Sequence, residues 1–369
     1  MKKTIVVSAV NLRKGGTLTI LRDCLKYLSG LSLSGEYKIV ALVHKKELAL
    51  YPGIEYIEMP WTIKSWIFRL WCEYVTMRRI SHRLSPVYLW LSLHDTSPCV
   101  KAERQAVYCH NPYPFYRWKW RELFMNYHIV CFAWFSKYIY RINIHSNRYV
   151  LVQQKWIKNS FVQMFGLAPE RIIVTLPGQN DTPNHKIIAS DGIYRFLFPS
   201  YGDIHKNFEL ICMAANMLAE EIEDTRFRVM VTIFGDENRY TKWLYKKWGH
   251  LKCIEFAGFM SRDKLYEAYA QADCLIFPSR VETWGLPISE FASFGKPMLL
   301  ADLPYAHETA GGSRAAAFFN PQDPYELKEQ MKRLINGDHS FLSPVPEVEI
   351  SAPVTRTWAE LFELLLKNN

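Results

Sequence analysis

The stretch "CLIFPSRVETWGLPISEFASFGKPMLLA", residues 274–301, decides how this chain folds. CLIFPS starts as a short apolar run, the length of a buried strand, and stops at a proline and a serine. SRVETW has no periodicity and reads as a loop. Gly285, Leu286 and Pro287 then turn the chain into a helix that carries Ile288, Phe291, Ala292 and Phe294 at core spacing. A Gly-Lys-Pro turn ends it, and PMLLA opens a second apolar strand. Two apolar strands joined through a helix must run parallel, in a sheet covered on both faces.

The same alternation extends in both directions. Apolar or β-branched runs stand at 4–10, 37–43, 87–93, 106–110, 149–153 and 172–176, then at 194–200, 228–235, 253–259, 274–279, 297–301 and 315–319. Segments of helical periodicity, such as 17–29, 207–222, 262–271 and 286–295, separate nearly all of them. Two such series predict two Rossmann-like α/β domains whose parallel sheets face a central cleft. We expect the domains at 1–180 and 190–350, with a hinge in GQNDTPNHKIIASDG (178–192), which is rich in residues that break periodicity. SPVPEVEISAPVTR (343–356) reads as a linker. A final helix at about 356–369 is expected to pack back toward the first domain.

With 369 residues, 49% of them hydrophobic, the chain is long enough for two cores. Its eight cysteines show no CxxC spacing and no histidine close enough to complete a zinc pattern, so they read as reduced, mostly buried thiols of a cytosolic protein. No stretch approaches the roughly 18 apolar residues that cross a bilayer. The apolar run after Lys2 and Lys3 is too short for a signal peptide and fits a first strand. Charge is uneven: residues 1–185 hold 25 Lys+Arg against 11 Asp+Glu, while the rest carry an acidic excess. A basic first half suits nucleic acid, anionic lipid or a phosphorylated substrate.

Glu282 falls in the loop above the strand end and Glu290 about a turn inside the helix, so both can face a cleft. The backbone N–H groups of Thr283, Trp284, Gly285 and Leu286 sit where a helix begins and suit a phosphate or sugar oxygen. A carboxylate accepts hydrogen bonds from two neighbouring hydroxyls, which fits ribose and hexose on either side of a diphosphate. On spacing alone, a solvated Glu290 and a first-turn acid at Glu282 would be equally good readings. The flanking residues shift the balance.

FPSRVETWGLPISEFASFGKPMLLADLPYAHETAG (277–311) resembles the donor-binding signature of the retaining GT-B glycosyltransferases of family GT4, with E-x7-E, GLP, a GKP turn and an Asp-x-Pro…His-Glu segment. The resemblance covers most of 190–340 and reaches the first half only in outline. It implies a GT-B fold, an acceptor-binding first domain, and a second domain that holds a nucleotide-diphosphate sugar. Carried over, Glu290 holds the ribose hydroxyls and Glu282 the donor hexose. Lys206, beside Asn207 at the start of a helix in PSYGDIHKNFELICMAANML (199–218), grips the diphosphate. The family's arginine five or six residues earlier is missing, since Tyr201 and Ser200 stand there; Arg280 is a substitute candidate.

In the first half, Gly15 and Gly16 lie between the first strand and first helix. They permit close backbone approach and, by resemblance, flank the diphosphate. They do not form GxGxxG. His110 ends a strand before an Asn-Pro turn, where family members carry a histidine against the donor sugar. His94-Asp95 is a weaker candidate of the same kind. Retention with the leaving phosphate taking the acceptor's proton would require no protein base. Cationic side chains and helix dipoles would carry the charge, so no metal or cofactor is expected.

Residues 113–140 contain twelve aromatics in 28 positions with Arg117, Lys119, Arg121 and Lys137 among them, and 61–84 repeats the combination. Core packing accounts for part of this. The rest suits a peripheral face on anionic lipid. The expected protein is therefore a hexose-type transferase working on a glycan or polyprenyl-diphosphate-linked acceptor in cell-surface polysaccharide or glycoconjugate synthesis, cytoplasmic and peripheral on the inner face of the cell membrane. Another GT-B enzyme, such as a sugar-nucleotide epimerase or a phosphorylase, is the alternative. A nucleic-acid binder is a weaker one, which the glutamate pair argues against.

Overall fold

The computed structural model describes residues 2–178, 192–222 and 226–367. Between its end residues Gly178 and Gly192, the expected hinge lies outside them. The chain divides into two units, Met1–Asn111, Phe135–Gly178 and Ile350–Asn369 in the first, Pro112–Trp134 and Gln179–Glu349 in the second.

The first unit is built on eight parallel strands: β1 (Lys3–Ala9), β2 (Tyr37–Val43), β3 (Ile54–Glu58), β4 (Val87–Ser92), β5 (Arg104–Tyr108), β6 (Tyr149–Val152), β7 (Ile172–Thr175) and, from the carboxyl end, β14 (Val354–Thr355). Their order is β14-β7-β6-β5-β4-β1-β2-β3. Successive residues of a strand point to opposite faces, and both faces of β1 are apolar. Ile5, Val7 and Ala9 join Leu21, Leu25 and Leu28 of the helix Gly15–Leu33 and Leu361, Phe362 and Leu365 of the helix Trp358–Leu366. Val6 and Val10 pack with Trp90, Met77 and Ile80 on the other side.

The carboxyl-terminal segment belongs to this unit. Tyr27 stacks on Phe362 at 5.4 Å, and the Tyr88 hydroxyl donates to the Leu366 carbonyl at 2.8 Å. Two strands have no counterpart in the sequence reading. β3, IEYIE, is an edge strand with two acids among its five residues, and β14 is two residues long inside a stretch read as a linker.

The second unit carries six parallel strands, β8 (Tyr194–Phe198), β9 (Phe227–Val231), β10 (Ile254–Phe256), β11 (Cys274–Phe277), β12 (Met298–Ala301) and β13 (Ala316–Phe319), in the order β10-β9-β8-β11-β12-β13. From β8 the chain adds strands in one direction, and from β11 in the other. Ligands of such sheets bind beyond the carboxyl ends of the strands at this reversal. In the first sheet the reversal lies between β1 and β4.

Residues 112–134 depart from the expected boundary at 180. They cluster with the second unit, held by Tyr113 against His205 and by a buried ion pair between Glu122 and Arg280. Nothing in the local pattern of YPFYRWKWREL announces this, because the partners lie more than ninety positions away.

Candidate active site

The chain leaves β8 at Phe198 and reaches a 3₁₀ turn, Ile204–Lys206, before the helix Phe208–Glu221. Asn207 makes the corner with φ +61°, a left-handed conformation that asparagine tolerates better than most residues. Its side-chain amide donates to the carbonyls of Pro278 at 3.2 Å and Pro321 at 2.9 Å. The Arg280 N–H donates to the His205 carbonyl at 2.8 Å. The loops after β8 and β11 are thus tied together at the reversal of strand order. There Lys206 Nζ lies 2.5 Å from Glu282 Oε1, with the two side chains 15% and 12% exposed.

Gly285 opens the helix Leu286–Ala292 at φ +88°. A Cβ there would also meet Ile288 Cδ1 at 3.3 Å, so both conformation and space favour glycine. Trp284 is held from two sides: its indole N–H donates to Ser289 Oγ at 3.1 Å, and its carbonyl accepts from the Thr309 hydroxyl. Thr283 is half-buried and Leu286 exposed on the same loop. One turn on, Glu290 Oε2 accepts from the Tyr269 hydroxyl at 2.9 Å. Burial raises the Glu290 carboxyl above its ordinary range, opposed by that hydrogen bond and by Arg262.

Arg280 does not stand ready as a second cation. Its guanidinium pairs with Glu122 Oε1 at 2.5 Å, donates to the Ile204 carbonyl at 2.9 Å and lies over the Tyr116 ring. Tyr116 in turn donates to Glu122 Oε2 at 2.8 Å. Arg280 is therefore a tie between residues 116–122 and the Lys206 turn, with its Nε buried and unbonded among the described residues. His205, not singled out in the sequence, is buried between these groups. Burial, with Lys206 and Arg280 beside it, pulls its pKa well down, so its ring is neutral.

In the first unit the polar side chains gather past the ends of adjacent strands. His110 follows β5 and donates its backbone N–H to Asp95 Oδ1 at 2.6 Å. Both its ring nitrogens are buried and have no partner among the described residues. Burial pulls its pKa to about 3, so the ring is neutral near pH 7. Asn11 past β1 and His44 past β2 likewise bury an unbonded Oδ1 and Nδ1. Buried polar atoms without protein partners are uncommon in folded proteins, and water or a ligand ordinarily meets them. Neither Asn11 nor His44 carries a sequence signal beyond its place at a strand end.

Gly15 begins its helix at φ +63°, and Gly16 follows it on the exposed first turn. His94 is absorbed into the core. It contacts Ser8 Oγ at 2.9 Å and Thr96 Oγ1 at 3.0 Å, beside the buried Glu73 that pairs with Arg69. Asp95, at φ +72°, presents the carboxylate that fixes the His110 backbone.

The comparisons with known proteins bear on the fold and on the second unit. Residues 184–342 match the family model described as glycosyl transferases group 1. The second unit holds a glycosyltransferase domain. Among solved structures, sucrose-phosphate synthase from Thermosynechococcus elongatus superposes with a TM-score of 0.64 at 12% identity, covering 92% of this chain and 91% of that one. WaaG, a glycosyltransferase involved in lipopolysaccharide biosynthesis, gives 0.62 at 14% identity over 90% of each chain. The Anabaena protein HepE, solved in complex with UDP-glucose, gives 0.60 at 13% identity over 92% of each. No curated protein matches in sequence. The fold is GT-B, and with the glycosyltransferase domain it makes the chain a transferase.

Proposed function

We propose that the protein is a retaining glycosyltransferase of the GT4 type, moving a hexose-type sugar from a nucleotide-diphosphate donor to a lipid-linked glycan acceptor. The observation that carries this reading is the Lys206–Glu282 pair beyond β8 and β11, where the strand order reverses. A cation and a hydroxyl-binding carboxylate on neighbouring loops suit the diphosphate and sugar of one donor. Glu290, with one oxygen bonded to Tyr269, keeps its other oxygen for the ribose hydroxyls.

Departure of the nucleotide diphosphate leaves positive charge on the sugar ring and places negative charge on the phosphate. Lys206 stabilises that phosphate. The acceptor hydroxyl attacks the face the phosphate has left. Its proton passes to the departing phosphate oxygen as the new glycosidic bond forms, so the configuration is retained and the chain needs neither a protein base nor a metal.

A membrane site of action is supported by the aromatics of 61–84 and 113–140. Trp66, Ile67, Phe68 and Trp71 in one stretch, and Trp120, Phe124, Trp134, Phe135 and Tyr138 in the other, are exposed. No helix among the described residues is long and apolar enough to cross a membrane. A face lying on the cytoplasmic leaflet would bring the enzyme to a polyprenyl-diphosphate acceptor.

The test is a thermal-shift series against UDP-, GDP- and TDP-sugars, because a ligand that binds only the folded state raises its melting temperature. HepE was solved with UDP-glucose, which makes UDP-sugars the first to try. One nucleotide class should stabilise the wild type and lose its effect in Glu290→Gln. Equal shifts in both proteins, or none with any donor, would remove the assignment.

A further inference from the structure

In the second unit, the loops that follow β8, β9 and β10 each carry one large aromatic side chain that the fold does not bury. Tyr201, Phe234 and Phe259 are all more than half exposed. The Tyr201 and Phe259 rings lie within 17° of parallel, with their centroids 6.5 Å apart. Rings aligned in this way that leave one another uncovered offer their faces to a third planar group.

The loops are fixed although the rings are uncovered. Asn238, which caps the helix Arg239–Trp248, donates its side-chain amide to the Gly202 carbonyl at 2.7 Å and ties the loop after β9 to the loop after β8. Glu237 accepts from the Phe234 N–H at 2.6 Å and from the Gly235 N–H at 3.0 Å. The Gly258 N–H donates to the Ile233 carbonyl at 3.2 Å, and the Phe234 ring lies so close over Gly258 that no Cβ fits there. A held backbone beneath clustered, uncovered aromatics marks a preformed binding surface, which loses little freedom when its ligand arrives.

The charges of these loops narrow the choice of ligand. Residues 199–205, 232–238 and 257–261 contain Asp203, Asp236 and Glu237 but no Lys or Arg. A nucleic-acid strand or an anionic bilayer would find no cation among them. A single nucleotide needs its cation only to one side, and Lys206 stands five positions after Tyr201. Phe259 leads into the helix Arg262–Gln271, whose Tyr269 hydroxyl donates to Glu290 at 2.9 Å and whose Arg262 acts on the same carboxyl. The two rings therefore stand on the segments that run into the proposed diphosphate and ribose partners.

We propose that Tyr201 and Phe259 form a stacking platform for the planar base of the nucleotide donor, with Phe234 beside them. Tyr201, at a place where the resemblance expects an arginine, thereby exchanges a cation for a ring. With Arg280 committed to Glu122, stacking supplies affinity that a second cation does not. Every base has a π-face, so the platform favours a base over none and leaves the choice among bases to other contacts. The inference rests on the donor reading above and names the residues that hold the base.

The test is calorimetric titration of the full chain with UDP, GDP and TDP, and with inorganic pyrophosphate, which has no base. Tyr201→Ala and Phe259→Ala should each weaken binding of the nucleotide that the wild type takes by about tenfold, and leave pyrophosphate binding unchanged. Tyr201→Phe, which keeps the ring, should bind the nucleotide as the wild type does. Both side chains are exposed, so melting temperatures without ligand should stay at the wild-type value. Wild-type nucleotide affinity in both alanine variants would overturn the platform, while its loss in Glu290→Gln would leave the donor reading standing. Equal loss of nucleotide and pyrophosphate would also overturn it, because the rings would then only shape the Lys206 turn. A wild type that binds no nucleotide would remove the platform and the donor reading together.

Discussion

Lys206 Nζ and Glu282 Oε1 meet at 2.5 Å across the loops that follow β8 and β11, and each is the other's ionic partner. In the proposed complex the diphosphate competes with Glu282 for the lysine, and the sugar hydroxyls take over the carboxylate. The pair thereby holds both side chains in place before the donor arrives. Glu282→Gln and Lys206→Ala should each lower sugar transfer about tenfold or more with the fold intact. Because the two act as a unit, the double variant should be little worse than the poorer single one. Steady-state kinetics on the three proteins checks this, and fully multiplicative losses would argue against a shared role.

In the proposed complex, the raised pKa of Glu290 gives nucleotide binding a pH dependence of definite sign. Its ordinary value is 4.5, and burial lifts it in the fold. Above 4.5 the folded chain keeps a proton that the unfolded chain has lost, so this group's contribution to stability falls as pH rises until Glu290 ionises. In the proposed complex the ribose hydroxyls donate to the ionised form. Nucleotide affinity should therefore climb as pH is raised through this window, and Glu290→Gln should flatten the curve. Tyr269→Phe removes a hydrogen bond that favours the charged carboxylate, so its climb should shift to higher pH. Calorimetric titration across pH tests both changes.

Arg280 and Glu122 predict a stability pattern. Their side chains are 9% and 4% exposed, so removing one charge strands the other in a low-dielectric setting. Glu122→Ala should destabilise the protein by about 3 kcal/mol, and Glu122→Leu/Arg280→Met should recover most of that loss. Chemical denaturation measures it. A single variant as stable as the wild type would mean that water already reaches the pair.

The order of these sites in the sequence explains how much could be read there. β8, β11 and the helix after Gly285 are local patterns: apolar runs of strand length, a glycine where φ must be positive, and core residues at helical spacing. They place Glu282 and Glu290 before any tertiary contact is known. Arg280 is different. Its neighbours in sequence show a cation in the loop after β11, while its partner Glu122 lies 158 positions away in a segment whose aromatics mask the acid's importance. Asn11 and His44 are illegible for a related reason. What distinguishes them is a buried atom without a partner, and that exists only once the sheet has been assembled.

His110 supplies the last prediction, in which stability and binding share one residue. Its pKa is about 3 in the fold against an ordinary 6.5. Between those values the unfolded chain binds a proton that the folded chain refuses. Stability is therefore fully present above 6.5 and is lost as pH falls toward 3, by at most about 1.4 kcal/mol per pH unit. His110→Asn should remove this slope, so that its stability loss between pH 7 and 4.5 is smaller than the wild type's by up to about 2.5 kcal/mol. If donor oxygens take the ring nitrogens left unbonded in the fold, the same variant should bind the donor sugar more weakly at pH 7, where the slope does not operate. Denaturation at the two pH values and donor titration at pH 7 separate the effects. A variant that flattens the slope and keeps donor affinity would make His110 a residue of the fold alone.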